Sequence, residues 1–249
     1  MASPTRTAYP HGKASRDLRH VKGNFAVIGD IHGCAHTLDT LLQRLGGSLN
    51  ELPDDLTLVS VGDIHDKGKH STRVLRWAMD AVAEGRLILV DSNHGAALVR
   101  RIRSPKIAKP SVEQTFRELS SEPDAPELLL KTAEFLDTRP SFVRLTGGPT
   151  GELLVAHAGV AERLIDARNL SPSERRFSTL AREFQWSGSQ TVLVGHMRTS
   201  QPTRISGPGG DIIRIDTGCA EVGGSLTAYL PHEDSFISVP GDPRDLTSN

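Results

Sequence analysis

Short apolar runs alternate along this chain with stretches in which apolar residues recur every three or four positions, and that change of period marks an α/β architecture. "FAVIG" (25–29) reads as a buried strand, and Leu38, Leu41, Leu42 and Leu45 follow at helical spacing up to a stop at Gly46-Gly47. "LTLVSV" (56–61) predicts a second strand, followed by a helix that carries Val74, Leu75, Ala78, Met79 and Val82 and ends near Gly85. "RLILV" (86–90) predicts a third strand, and "GAALVRRIR" (95–103) the start of another helix. Between about 104 and 150, polar helical stretches punctuated by Pro110, Pro123, Pro126 and Pro140 predict a helical insertion, a small cap. Strands resume at "ELLVAH" (152–157), "TVLVGH" (191–196), "TRIS" (203–206) and "DIIRID" (211–216), the last two joined by the turn-forming "GPGG". The C-terminal half therefore leans towards a sheet of its own. The expected organisation is a mobile tail over 1–22, one domain over 23–240 containing the insertion, and a C-terminal tail over 241–249.

The chemistry sits where the strands stop. Asp30 and His32 follow the first strand in "GDIHG", and Asp63 and Asp66 follow the second in "GDIHDKG". Asn93 and His94 follow the third strand, while His157 and His196 terminate two later ones. In open α/β sheets the carboxyl ends of strands form the functional crevice, so these side chains can share one pocket despite their distance in sequence. Carboxylate, imidazole and amide donors without thiolate suit Mn, Fe, Zn or Ni, and a shared carboxylate would let the pocket hold two such ions.

Composition narrows the classes further. At 37% hydrophobic and 24% charged over 249 residues, the chain has the makings of a soluble domain with a full core. A formal net charge of −1 provides no global field for nucleic acid or anionic lipid, so stable DNA binding is not expected. Cys34 and Cys219 are too few for a disulfide framework and form no CxxC pair, which favours a reducing compartment and excludes zinc-finger chemistry. No apolar run approaches the roughly 20 residues that span a bilayer, and the N-terminus lacks an apolar leader core, so the expected location is cytoplasmic.

In order and approximate spacing, "GDIHG", "GDIHDKG", "SNHG", "VAHAG", "VGH" and "IDTGCAEVGGSLTA" resemble the motif series of calcineurin-like metallophosphoesterases, over residues 25 to about 239. The ending is most similar to a bacterial branch containing symmetrical diadenosine tetraphosphatases, small Ser/Thr protein phosphatases and the phosphatase module of polynucleotide kinase-phosphatases. The resemblance implies a two-sheet β-sandwich flanked by helices, with two divalent metals, Mn foremost, at one edge. Carried over by position, it makes Asp30 and His32 ligands of the first ion, Asp63 the bridge, and Asn93, His157 and His196 ligands of the second. It implies attack by a metal-activated hydroxide, with His94 protonating the leaving oxygen and Asp66 orienting His94. The nominal activity is that of a Ser/Thr protein phosphatase. The alternatives are hydrolysis of a dinucleoside polyphosphate or an RNA-end phosphate, and a regulatory protein that binds metal with weakened turnover. A phosphorylated substrate is the expected partner.

Several positions depart from the family pattern or stand beside it. Lys67 replaces the arginine of the second motif, keeping charge but losing the planar fork that grips phosphate; with Arg100 it is the candidate substrate contact, and Arg163, Arg168 and Arg175 are further arginines able to clamp phosphate. The basic "RSPKIAK" run (103–109) could meet a polyphosphate. Ser92 replaces a glycine and is expected to incur a backbone cost if that position needs φ > 0, and Gly95 replaces an acid. His65 reads as a structural or surface histidine, and both cysteines as small buried residues. "DTG" (216–218) also marks aspartic proteases, but that chemistry needs two such aspartates and only one copy occurs; Asp216 is expected to end a strand and bond neighbouring groups.

Overall fold

The computed structural model describes residues 17–18, 24–104, 110–146, 151–160, 186 and 188–247. Arg163, Arg168, Arg175 and most of the "RSPKIAK" run lie outside the described residues.

The first half lays down β2 (Asn24–Ile28), α1 (Ala35–Arg44), β3 (Leu56–Ser60), α2 (Ser71–Ala83), β4 (Leu87–Leu89) and α3 (Asn93–Arg103). The β2–β3–β4 strands pair in parallel, and β10 (Ser225–Leu230) and β11 (Ser235–Pro240) extend them antiparallel into a five-stranded sheet ordered β11-β10-β2-β3-β4. The second sheet is ordered β1-β5-β6-β7-β9-β8, built from β1 (Asp17–Leu18), β5 (Phe142–Thr146), β6 (Glu152–Ala156), β7 (Thr191–Val194), β8 (Thr203–Ser206) and β9 (Asp211–Arg214).

Side-chain alternation explains why the early strands read as unbroken apolar runs. Ala26 and Ile28 of β2, Leu56 and Leu58 of β3, and Leu87 and Leu89 of β4 pack with the helices. Phe25 and Val27, with Val59, Val61, Ile88 and Val90, face the other sheet and meet Val143, Leu145, Leu153, Val155, Leu193 and Ile213 there. Both faces of the five-stranded sheet are covered, so neither register of the strand can be polar. Each such side chain taken out of water stabilises the sandwich by about 1.5–3 kcal/mol before conformational entropy is counted. The outer face of the six-stranded sheet carries its own cluster, with Leu154, Ala156, Val192 and Val194 around Trp186.

Three segments differ from the sequence reading. The insertion contains α4 (Pro110–Ser120) and α5 (Ala125–Asp137) as expected, but Val112, Leu119, Leu128 and Leu136 join the same core as α1–α3, so these helices belong to the helical layer. Its last residues form β5, paired antiparallel with β6 and, on its other side, parallel with Asp17–Leu18, two residues of the expected N-terminal tail. At the other terminus Pro243–Asp245 forms a 3-10 turn with Asp245 fully buried, because its carboxylate accepts from His36 N, Thr37 N and Thr37 Oγ1 at the start of α1. Among the described residues no helix is long and apolar enough to cross a membrane. Cys34 and Cys219 are free and buried, as expected.

Candidate metal centre

The parallel strands β2, β3 and β4 end side by side, and so do β6 and β7, which brings five loops to one rim of the sandwich. Asp30 and His32 come from the first loop, Asp63, His65, Asp66 and Lys67 from the second, Asn93 and His94 from the first turn of α3, and His157 and His196 from the ends of β6 and β7. Five of the six described non-glycine residues with φ > 0 lie here: His32 (48°), Asp63 (45°), Asp66 (70°), Lys67 (66°) and His196 (63°). Asp, Asn and His tolerate this left-handed region better than most residues, and its concentration at one rim marks a backbone bent to aim side chains. The bends are pinned by backbone bonds: Ile31 N and His32 N both donate to Asp63 O, at 3.1 and 2.9 Å, and Gly68 N donates to His32 O at 2.8 Å.

The imidazoles are oriented from behind. His32 Nδ1 lies 3.0 Å from the carbonyl of His65, and His157 Nδ1 lies 2.9 Å from that of Val61. A carbonyl only accepts, so each Nδ1 carries hydrogen and each ring turns Nε2 inward as its potential ligand atom. His32 Nε2 then stands 3.7 Å from Asp63 Oδ2 and 3.9 Å from Asp30 Oδ2. His157 Nε2 stands 3.4 Å from Asp63 Oδ2 and 2.7 Å from Asn93 Oδ1. Two groupings of potential ligand atoms share Asp63: His32, Asp63 and His94, and Asp63, His157 and His196, each with its atoms within 4.8 Å of one another. Asp30 flanks them, its carboxylate accepting from His196 N at 3.2–3.3 Å. That contact exists because position 195 is glycine; a Cβ there would stand 1.9 Å from Asp30 Oδ1.

The donor set fits divalent cations. Electron-rich atoms of His157, Asn93 and Asp63 face one another within contact distance, an arrangement that a cation resolves. Lys67 already points an ammonium into the cluster, with Nζ 2.7 Å from His32 Nε2. Burial, together with the carboxylates of Asp216 and Asp63, pushes the Asp30 carboxyl well above its ordinary range. Burial holds His32 down at about 3, and burial with the neighbouring His157 lowers His196 to about 4, so both rings are neutral donors. Burial opposes ionisation of Asp63 too, but the surrounding imidazoles of His157, His94 and His32 outweigh it and keep this carboxyl well below the usual range. An ionised carboxylate among imidazoles is the ligand chemistry of Mn, Fe, Zn or Ni.

His94 stands apart in environment. Its Nδ1 is 2.6 Å from Asp66 Oδ2, and its Nε2 faces Asp63 Oδ2 at 3.8 Å. Burial works against charge on the ring, yet Asp63 and Asp66 overcome it and raise its pKa. Asp66 is fully buried; its carboxylate accepts from His94 on one oxygen and from the Thr115 hydroxyl on the other, while its own N–H donates to Ser71 Oγ at 3.0 Å and anchors the loop. Thr115 and Gln114, which donates to Gly68 O at 2.9 Å, both belong to α4. Sequence reading missed them, since a threonine on an amphipathic helix carries no signal of what it faces.

The other singled-out positions resolve as follows. Ser92 has φ −142°, so it bears no left-handed strain; its Oγ instead caps α3 by accepting from Gly95 N at 3.2 Å. His65 is buried beneath the site, with Nδ1 3.1 Å from Asp66 Oδ1 but not aligned for a hydrogen bond. Arg100 lies exposed on α3, six residues and so about 9 Å along the axis beyond His94, outside the ligand cluster. Asp216 follows β9, buried, and accepts from Gly218 N at 3.0 Å, a loop role.

Residues 23–213 match the calcineurin-like phosphoesterase family. The chain is 30% identical over 239 residues to a bis(5'-nucleosyl)-tetraphosphatase PrpE, asymmetrical, of Halalkalibacterium halodurans, covering 87% of this chain and 93% of that one. The enzyme of the same name in Bacillus subtilis is 28% identical, with 87% and 94% covered. A crystal structure provisionally assigned as a diadenosine tetraphosphatase superposes with a TM-score of 0.64 at 25% identity, over 92% of this chain and 99% of that one. A cold-active protein-tyrosine phosphatase from a Shewanella species shares the fold, with a TM-score of 0.58 at 15% identity over 91% and 83%. With its rim of strand-end carboxylates and imidazoles, the chain thus belongs to the calcineurin-like phosphoesterase family, as a metal-dependent hydrolase of phosphoric esters.

Proposed function

We propose that this protein hydrolyses dinucleoside polyphosphates, using Asp30, His32, Asp63, Asn93, His157 and His196 to hold two divalent ions, manganese foremost. When bound, such ions acidify a water into a nucleophile and neutralise charge on the phosphoryl oxygens. The chain's own part is positioning and proton transfer. Asp63 belongs to both groupings, which supports its reading as the shared carboxylate. His94, protonated and held by Asp66, delivers its Nε2 proton to the departing phosphate oxygen, so that this oxygen leaves as a neutral hydroxyl rather than as an added negative charge. Lys67 moves from His32 to a substrate phosphate, where a flexible ammonium suits a polyphosphate chain whose charges are spread out.

The observation that carries the chemistry is the 2.6 Å contact of His94 with a carboxylate that α4 fixes from its far side. Support for the substrate comes from the relatives that match nearly the whole chain, which are tetraphosphatases, whereas the protein phosphatases share only the fold. The dinucleoside reading is therefore preferred over the Ser/Thr protein phosphatase expected from motifs alone.

The test is a substrate panel on manganese-loaded protein, with products separated by chromatography: diadenosine tetraphosphate, a phosphoserine peptide and an RNA 3′-phosphate end. The expected result is ATP and AMP in equal amounts from the dinucleotide, with the other two turned over at least tenfold more slowly. Faster release of phosphate from the peptide would restore the protein-phosphatase reading, and metal binding without turnover of any substrate would favour a regulatory role.

A further inference from the structure

We infer that His36, His70 and Asp245 form a separate cation site, on the flank of the domain, that takes a zinc-class divalent ion. Their potential ligand atoms lie within 4.8 Å of one another. They come from three distant segments: the first turn of α1, the residue preceding α2, and the C-terminal 3-10 turn. The Asp245 carboxylate is fully buried, and its Oδ2 is saturated by Thr37 N at 2.8 Å and Thr37 Oγ1 at 2.7 Å. Its Oδ1 accepts only a longer bond, from His36 N at 3.1 Å, and keeps a lone pair directed outward.

His70 Nε2 sits 3.7 Å from that oxygen, shielded from solvent yet with no hydrogen-bond partner. This is too long for a hydrogen bond. It is close to the separation of two ligands on one tetrahedral zinc, about 3.3 Å for bonds of about 2.0–2.1 Å. The His36 ring completes the set, packed edge-on to His70 with centroids 4.9 Å apart. The His70 side chain is 32% exposed, so a fourth position can be filled by water. Two imidazoles and one carboxylate as ligands favour zinc over magnesium or calcium, which require mostly oxygen.

The place of this site in the fold gives it a purpose. His70 N donates to Gly33 O at 3.0 Å, Lys69 N to Asp245 O at 2.9 Å, and Gly68 N to His32 O at 2.8 Å. An ion joining His36, His70 and Asp245 therefore rivets the C-terminal segment across the two loops that carry Asp30, His32, Asp63 and Asp66. It supports those loops without entering the catalytic rim.

The experiment compares the full-length protein with His36→Gln and His70→Gln. Each is stripped with chelator, loaded with manganese, dialysed against low zinc and counted for metals by mass spectrometry, with thermal unfolding followed in parallel. The expected result is one zinc equivalent more in the parent than in either variant, a zinc-dependent rise in Tm larger in the parent than in either variant, and manganese-supported hydrolysis equal within about twofold in all three. Zinc displacing manganese at the rim cancels in the difference. Equal zinc content in the parent and in whichever variant folds overturns the inference, as does a magnesium-induced Tm rise of the same size as that from zinc.

Discussion

At the scale of single residues, function rests on groups whose free lone pairs or protons are set by what lies behind them. Asp66 is the clearest case, a carboxylate buried by design and useful only through His94. Asp66→Asn should lower kcat about 10–100-fold while metal content measured after dialysis stays unchanged, because the ring loses its orientation and not its neighbours. Gly195→Ala should act in the opposite way. Its methyl would collide with the Asp30 carboxylate, so manganese affinity, read by isothermal titration, should fall about 10–100-fold. The strand-end Asp and His residues were legible because polar, metal-philic side chains at the ends of apolar runs have few other reasons to recur. The Ser92 cost was misjudged for a simple reason: sequence does not state the dihedral, and an extended backbone with a capping hydroxyl suits serine.

At the scale of elements, α4 shows how a helix outside the strand-helix repeat becomes part of the chemistry. Val112 and Leu119 bury one stripe in the helical layer, which turns Thr115, fully buried, onto Asp66. Thr115→Val, similar in volume but without the hydroxyl, should leave secondary structure by circular dichroism intact and reduce kcat about tenfold through a loosened Asp66. Helical periodicity made the helices legible. Strand β5 was not, because Pro140 precedes it and Arg144 interrupts its three apolar residues, and pairing with β6 and with Asp17–Leu18 decides its state. The C-terminal turn was hidden likewise: "GDPRD" has the composition of a tail, and its anchor, Thr37, lies 208 residues away in sequence.

At the scale of the whole molecule, the proposed ligands come from both halves of the sandwich. Asp30, Asp63 and Asn93 follow strands of the five-stranded sheet, while His157 and His196 follow strands of the six-stranded one. Ions at that rim therefore bind the docked pair and not either sheet alone, which links metal occupancy to stability. Chelation should lower Tm, and re-addition of manganese should restore it in proportion to the logarithm of its concentration, as followed by differential scanning calorimetry.

At the β8 edge of the six-stranded sheet, the guanidinium of Arg204 reaches across to the Tyr229 hydroxyl on β10 at 3.4 Å and to the Asp234 carboxylate, itself bonded to Tyr229 at 2.7 Å. This cross-link is independent of any ion. A protein deprived of its cations should accordingly gape like a book held at the spine: amide exchange would accelerate at the loops after β2, β3, β6 and β7, yet stay slow around Tyr229 until the chain melts globally.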